Sequence, residues 1–304
     1  MTLDAVNLDA VEQLVRRRLK DGQPDAARAA LVELEDFCPE TLADMRRAVA
    51  LFEAAERKGP AEVLIERYLA QCPEDNEAVL DRIFIKAKFG ADISKLVETF
   101  KPANLEEHMR LADLLKKSNH HQHAARCYKH VVVKDPSNLP ARRGNIECLT
   151  WSKQYLDVHN ALDEFCRQMP DNVNNWAFVA LHASLSGYGE KFWAAAPKAE
   201  AGLQEGDNYN LYQLLHGYSH IGRRDEVIRL FESFPVTPEA TNWMLKQFFR
   251  ISDREGLWQV RYDVAALLLQ QGVEDAEFKA ALEKIAAAGR PSDANSGKKL
   301  SLWP

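Results

Sequence analysis

Four histidines and a cysteine crowd one stretch of this chain: His120, His121, His123, Cys127 and His130. Neutral imidazole and thiolate at helical spacing are ligands for zinc and related metals. His123, Cys127 and His130 lie four and three residues apart, so one helix face would carry all three. A structural zinc site wants four ligands, and no fourth is evident. The preferred reading is therefore a polar turn, then a helix with Cys127 packed and His130 solvated. A second pair, His216 and His220 in HGYSH, also shares a helix face. A zinc protease needs glutamate directly after the first histidine, and here that residue is Gly217. These two read as groove-lining or hydrogen-bonded helix histidines. No Gly-rich phosphate loop occurs, and no Ser-His-Asp or Cys-His arrangement follows from spacing. The expectation is a chain without catalytic residues, metal or cofactor.

The elements that would position these side chains are announced by prolines. Pro39, Pro73, Pro102, Pro136, Pro170 and Pro238 are separated by 34, 29, 34, 34 and 68 residues, the last being twice 34. Gln204 stands where one more proline would complete the series. A fixed period near 34 marks stacked helix–turn–helix units, each unable to bury its apolar face alone. With 304 residues, 46% of them apolar and 28% charged, the composition is that of an ordinary globular protein. A net charge of −6 argues against broad nucleic-acid binding, which needs a clustered basic surface. No apolar run is long enough to span a membrane, and the acidic start of MTLDAVNLDAVEQLVRRR does not read as a signal peptide. The five cysteines, Cys38, Cys72, Cys127, Cys148 and Cys166, read as small buried hydrophobes in a reducing cytoplasm.

Taking each proline near the end of a unit gives units at 8–41, 42–75, 76–104, 105–138, 139–172, 173–206 and 207–240. In 105–138, Leu111, Ala112 and Leu115 recur at helical spacing with His108, and Ala124, Tyr128 and Val131 form a second stripe. Val11, Leu14, Val15, Ala27, Leu31 and Leu34 repeat the scheme in the first unit. Met45, Ala48, Val49, Phe52, Ala61, Ile65 and Tyr68 repeat it in the second. Small residues at Val15, Val49 and Ala112 would face Ala27, Ala61 and Ala124, keeping paired helices about 8–10 Å apart. Gly22, Gly90, Gly187 and Gly222 would close first helices in the left-handed conformation. Unit three lacks five residues, so one of its helices must be short. Unit six opens well at Trp176, Val179 and Ala180, but its second half looks degenerate. Unit seven fits best with its register advanced by one. Beyond 240 the period blurs into a further hairpin and a capping helix with Phe278, Leu282 and Ile285 on one face, stopped by Gly289 and Pro291. Residues 290–304 read as a flexible tail.

This pattern resembles the tetratricopeptide repeat family over roughly 8–240, and unit seven also looks pentatricopeptide-like. The resemblance implies an all-α, right-handed superhelix of about eight hairpins plus a C-terminal cap. It implies a concave groove lined by first helices, at Glu12, Arg16, Arg46, Glu106, Met109, Asp113, Lys116, Lys117, Arg143, Glu147, Trp151, Tyr209, Tyr212, His216 and His220. Some proteins of the family grip a peptide backbone with an asparagine ladder. Asn174, Asn208 and Asn242 are spaced like one, but asparagine is also a preferred N-cap, and capping is the favoured reading. The carboxylate-clamp pattern of the family is not reproduced, since Arg16 stands where the clamp has asparagine.

The functional expectation is a cytoplasmic, non-catalytic scaffold binding a peptide or protein partner in its groove. Lys116 and Arg143 would offer a small positive patch to an acidic segment, with Tyr209 and Tyr212 as apolar anchors. The alternatives are an accessory subunit of an enzyme or transport complex, and RNA binding through pentatricopeptide-like units. The apolar tip Leu300 to Pro304 could mediate self-association.

Overall fold

The computed structural model describes residues 7–273 and 275–287. The tail at 290–304, its proposed self-association and the stop at Gly289 and Pro291 lie outside the described residues. Among the described residues there are seventeen α-helices and no strand. The architecture is an all-α solenoid of helical hairpins, divided into two compact units, Met1–Cys148 and Leu149–Pro304.

The first unit pairs α1 (Leu8–Lys20) with α2 (Pro24–Ala30), which tightens into a 3-10 turn at Leu31–Leu34. It continues with α3 (Leu42–Ala54) and α4 (Lys58–Gln71), α5 (Asn76–Lys88) and α6 (Ser94–Thr99), and α7 (Leu105–Lys117) and α8 (His121–Lys134). The division falls inside α9 (Leu139–Trp151). The second unit holds α10 (Tyr155–Gln168), α11 (Val173–Leu185) and α12 (Gly189–Gly202), α13 (Asn208–His220) and α14 (Arg224–Ser233). It closes with α15 (Asn242–Arg254), α16 (Trp258–Gln270) and α17 (Ala276–Ala287).

Three local devices set this spacing. The first is capping. Asn7, Thr41, Asp75, Asn104, Asn138, Asn172, Thr241 and Asp275 each accept a backbone N–H from the first turn of the helix that follows, as Asn104 Oδ1 does from Glu107 at 2.9 Å. Each satisfies one otherwise orphaned donor. The second is the left-handed closure. Gly22, Gly90, Gly187, Gly222 and Gly256 have φ of 67–75°, and Glu56, Asn119 and Lys153 take the same place at 57–62° without being glycine. The third is the interlock of small residues. Val15, Ala27, Ala48, Ala61, Ala112 and Ala124 are almost wholly buried, so paired helices close on one another. Met45, Phe52, Leu64, Ile65 and Tyr68 fill the core between α3 and α4.

The structure corrects several sequence expectations. Asn174, Asn208 and Asn242 are not caps; the caps sit at Asn172 and Thr241, while Asn208 donates to Thr237 Oγ1 at 3.0 Å. Asn174 instead accepts from Asn210 Nδ2 at 2.5 Å. The second half of unit six is not degenerate. It is the full-length α12, packed through Phe192, Ala195, Ala196 and Ala199 despite Pro197 within it. The period does not blur after 240, because α15 and α17 start at Asn242 and Ala276, 34 residues apart. Leu14 is 43% exposed rather than part of the inner stripe. In the cap, Phe278 and Ala281 are buried and Leu282 is half-buried, while the Ile285 side chain lies outside the described residues. The deletion in unit three falls entirely on α6, six residues long with no side chain fully buried. Of the cysteines, Cys148 is buried but Cys38 is exposed, and all five are free.

Candidate functional site

In the first unit the charges of neighbouring first helices are spent on one another. Arg46 on α3 reaches Glu77 at 2.9 Å and Asp81 at 2.5 Å on α5, and Arg110 on α7 bonds Glu77 as well. Arg47 clasps Asp9 and Glu12 on α1 and, with Arg16, holds the Glu12 carboxyl below its ordinary range. Lys116 on α7 pairs with Glu147 on α9. Burial pulls the Lys116 pKa down, but the Glu147 carboxylate outweighs it, and the ammonium is held above its usual value. Asp113 accepts the buried Tyr128 hydroxyl at 2.5 Å. Met109 and Arg143 are half-buried, and Arg143 is itself engaged within the protein. Lys116, one half of the expected positive patch, is thus neutralised where it stands. Such part-exposed pairs add about 0–1 kcal/mol each and serve mainly to fix the register of one hairpin on the next.

The second unit is built differently. Helix α13 packs between α11 and α15. These three helices carry only one acid, Asp253, and Arg261 takes it at 2.5 Å. Tyr209 on α13 is 40% exposed and Trp243 on α15 is 50% exposed. Tyr212, expected as a second exposed anchor, is 8% exposed and lies beneath them, edge-on to Trp243 at 5.1 Å. Its hydroxyl meets His216 Nδ1 at 3.1 Å. Burial, with Arg254 and His220 nearby, pulls the His216 pKa down to about 4, so the ring is neutral. Burial likewise pushes Tyr212 up to about 12. Trp151, the last residue of α9, is 53% exposed.

Sequence reading missed the cations of α15. Successive helix residues turn by about 100°, so Trp243, Lys246, Arg250 and Arg254 fall within an arc of about 80°. Leu245, Phe248, Phe249 and Ser252 occupy the opposite, buried side. Lys246 is half-buried, Arg250 and Arg254 are exposed, and none of the three makes an ion pair among the described residues. The signal was present as cations at i, i+4 and i+8 in a segment whose register seemed lost.

The histidine–cysteine stretch forms a shallow hollow on α8, lined by Val97, Glu98, His108, His123, Arg126, Cys127 and His130. His130 stacks on His108 with ring centroids 4.2 Å apart, and His108 Nδ1 meets the Asn104 carbonyl at 3.0 Å. Among the described residues no three His, Cys, Asp or Glu side chains are placed to hold a metal ion. Burial pushes the Cys127 thiol up to about 11 and Cys148 to about 12. Both therefore stay protonated and poorly nucleophilic near neutral pH. Gly217, where a zinc protease would carry its base, lies where a Cβ would sit 3.0 Å from the Phe192 ring, so close packing explains it.

No family model matches the chain, and no curated protein matches it. Among solved structures it is similar to a tetratricopeptide repeat protein from Parabacteroides merdae ATCC 43184, at 11% identity over 91% of this chain and 97% of that one, with a TM-score of 0.47. It is also similar to a chain of the APC/C hetero-tetramer Cut9-Hcn1, at 13% identity over 94% of this chain and 59% of that one, with a TM-score of 0.44. A third is the human IFIT1 dimer with PPP-AAAA, at 15% identity over 93% of this chain and 69% of that one, with a TM-score of 0.38. These likenesses are of fold only, and the architecture rests on the helices themselves.

Proposed function

We propose that the chain is a non-catalytic, cytoplasmic scaffold that binds a peptide or partner protein on the exposed faces of its first helices. The observation that carries this reading is the aromatic surface of α13 and α15. Tyr209 and Trp243 stand 40% and 50% exposed on adjacent helices, backed by the buried ring of Tyr212. Large aromatic side chains on rigid, well-packed supports are the commonest anchors of protein interfaces. Burial holds Cys127 and Cys148 firmly as thiols, which suits packed side chains in a reducing setting. The residues proposed for the partner surface are Arg46, Met109, Asp113, Lys116 and Arg143 in the first unit, and Trp151 and Tyr209 in the second, with Tyr212 and His216 supporting the second from beneath.

The test is capture of partners by the tagged full chain from native lysate, read by mass spectrometry. It is repeated with a Tyr209→Ala, Trp243→Ala double variant whose far-UV circular dichroism matches the parent. Partners captured by the parent and lost by the variant support the reading. A catalytic chain held in fixed stoichiometry would make the protein an accessory subunit. A partner set that ignores the variant would remove the aromatic face from consideration.

A further inference from the structure

Ion pairs tie helices together in both units, as Arg46 does in the first and Lys191 and Arg229 do in the second, and against that pattern one first helix stands apart. In the first unit, Arg46 at the fifth position of α3 is matched by Glu77 and Asp81 of the next first helix. Lys246 holds the same position in α15. The corresponding residues of α17 are Glu277 and Ala281; Glu277 makes no ion pair with Lys246, and Ala281 cannot. One and two turns further on, Arg250 and Arg254 also lack an acidic partner among the described residues, since Asp253 belongs to Arg261. Three aligned cations thus go without an acidic partner among the described residues, in a chain whose net charge is −6. Evenly distributed charge would not leave them so. They adjoin Trp243 on their own helix and stand across from the buried side of α15.

We propose that this face of α15, Lys246, Arg250 and Arg254 with Trp243 and Tyr209 beside them, binds an acidic segment of a partner polypeptide. The inference rests on the scaffold reading above and names the chemistry of the partner. Charge complementarity selects an anionic segment, and the aromatics select an apolar side chain next to its acids. The geometry also suits an extended chain. Residues four apart on a helix rise about 6 Å. Alternate residues of an extended peptide, which point the same way, are about 6.6–6.8 Å apart. Alternate carboxylates would therefore stay in step with the three cations over their whole length, within the reach of flexible Lys and Arg stems. The planar guanidinium groups of Arg250 and Arg254 each can take a carboxylate through two parallel hydrogen bonds, which fixes direction as well as charge. A long polyanion such as RNA meets the same cations, but must also cross the acidic remainder of the protein; a short acidic segment touches only the patch.

The experiment uses the full chain and a short fluorescein-labelled peptide of alternating glutamate and leucine, read by fluorescence anisotropy. The comparison probes are the same peptide with lysine for glutamate, and labelled oligouridylate. The acidic peptide should bind, weaken steeply with added salt, and lose about tenfold or more in affinity to an Arg250→Glu, Arg254→Glu variant that keeps the parent's circular dichroism. Lys129→Glu, an exposed charge on α8 of the first unit, should leave it unchanged. Trp243→Ala should weaken it while preserving its salt dependence. Binding of oligouridylate but not of the peptide would overturn the proposal, as would equal peptide binding by the parent and the reversed variant. Partners captured from lysate that still bind the reversed variant would leave the scaffold reading standing and remove this site from it.

Discussion

Gly144 is the position where a one-carbon change tests the packing most sharply. It lies inside α9, where glycine costs about 1 kcal/mol relative to alanine, so Gly144→Ala should on propensity alone stabilise the protein. The structure predicts the reverse. A Cβ at Gly144 would sit 2.5, 2.7 and 2.8 Å from three carbons of the Tyr128 ring. Ordinary carbon contacts lie at about 3.5–4.0 Å, so the ring must retreat by about 1 Å. It has nowhere to go: Tyr128 is 1% exposed, and its hydroxyl is held by Asp113 at 2.5 Å. Overpacking of this kind costs about 1–3 kcal/mol, which outweighs the propensity gain. With an overlap this severe the expected net effect is a loss of about 1–2 kcal/mol, or a melting temperature lower by roughly 2–8 °C. Gly59→Ala is the control. It lies in α4 with nothing within 4 Å of its Cβ, and should be neutral or stabilising by up to about 1 kcal/mol. Thermal and urea melts of both variants decide the matter. A Tyr128→Leu, Gly144→Ala double variant should lose less than the sum of the singles, because the smaller side chain vacates the contested space. Gly144→Ala melting at or above the parent, or strict additivity in that cycle, would refute the close approach of α8 and α9.

Four further outcomes follow from named geometry. Lys153 and Glu56 hold left-handed backbone with φ of 60° and 57°, so Lys153→Gly and Glu56→Gly should each stabilise by about 0.5–1 kcal/mol in urea melts, and Asn119→Gly by less because asparagine tolerates that region. Gly222→Ala, at φ 74°, should destabilise by about 1 kcal/mol; an unchanged melt would contradict the assigned turn. His216, pulled down to about 4 from an ordinary 6.5, takes up protons in the unfolded chain first, so its stability is full above about pH 7 and is lost as pH falls from 6.5 through 4, by up to about 3 kcal/mol. His216→Asn should flatten the slope of stability against pH in that window, and an unaltered slope would mean the ring is not buried neutral. Amides of α6 should exchange faster than those of α8, since α6 buries no side chain fully while α8 buries Ala124, Ala125, Tyr128 and Val131; equal protection measured by mass spectrometry would count against this.

The sequence by itself determined the repeat, because its signals are local. Proline cannot continue a helix, glycine closes one in the left-handed region, and apolar residues at helical spacing mark the face to be buried. The capping series Asn7, Thr41, Asp75, Asn104, Asn138 and Asn172, resumed at Thr241 and Asp275, was equally legible and would have carried the register past residue 240. What only the tertiary structure decided is the state of each charge and ring on the first-helix faces. Lys116 and Lys246 are both lysines on a first helix, yet one is neutralised by Glu147 and the other makes no ion pair among the described residues. Tyr209 and Tyr212 are three residues apart, yet one is exposed and one is buried under Trp243. Such outcomes depend on partners about 31 residues away, brought within hydrogen-bonding distance by the stacking of hairpins. A period tells where those partners fall along the chain; the pairing itself exists only once the backbones have closed to packing distance, where a carboxylate and an ammonium are drawn from water into contact.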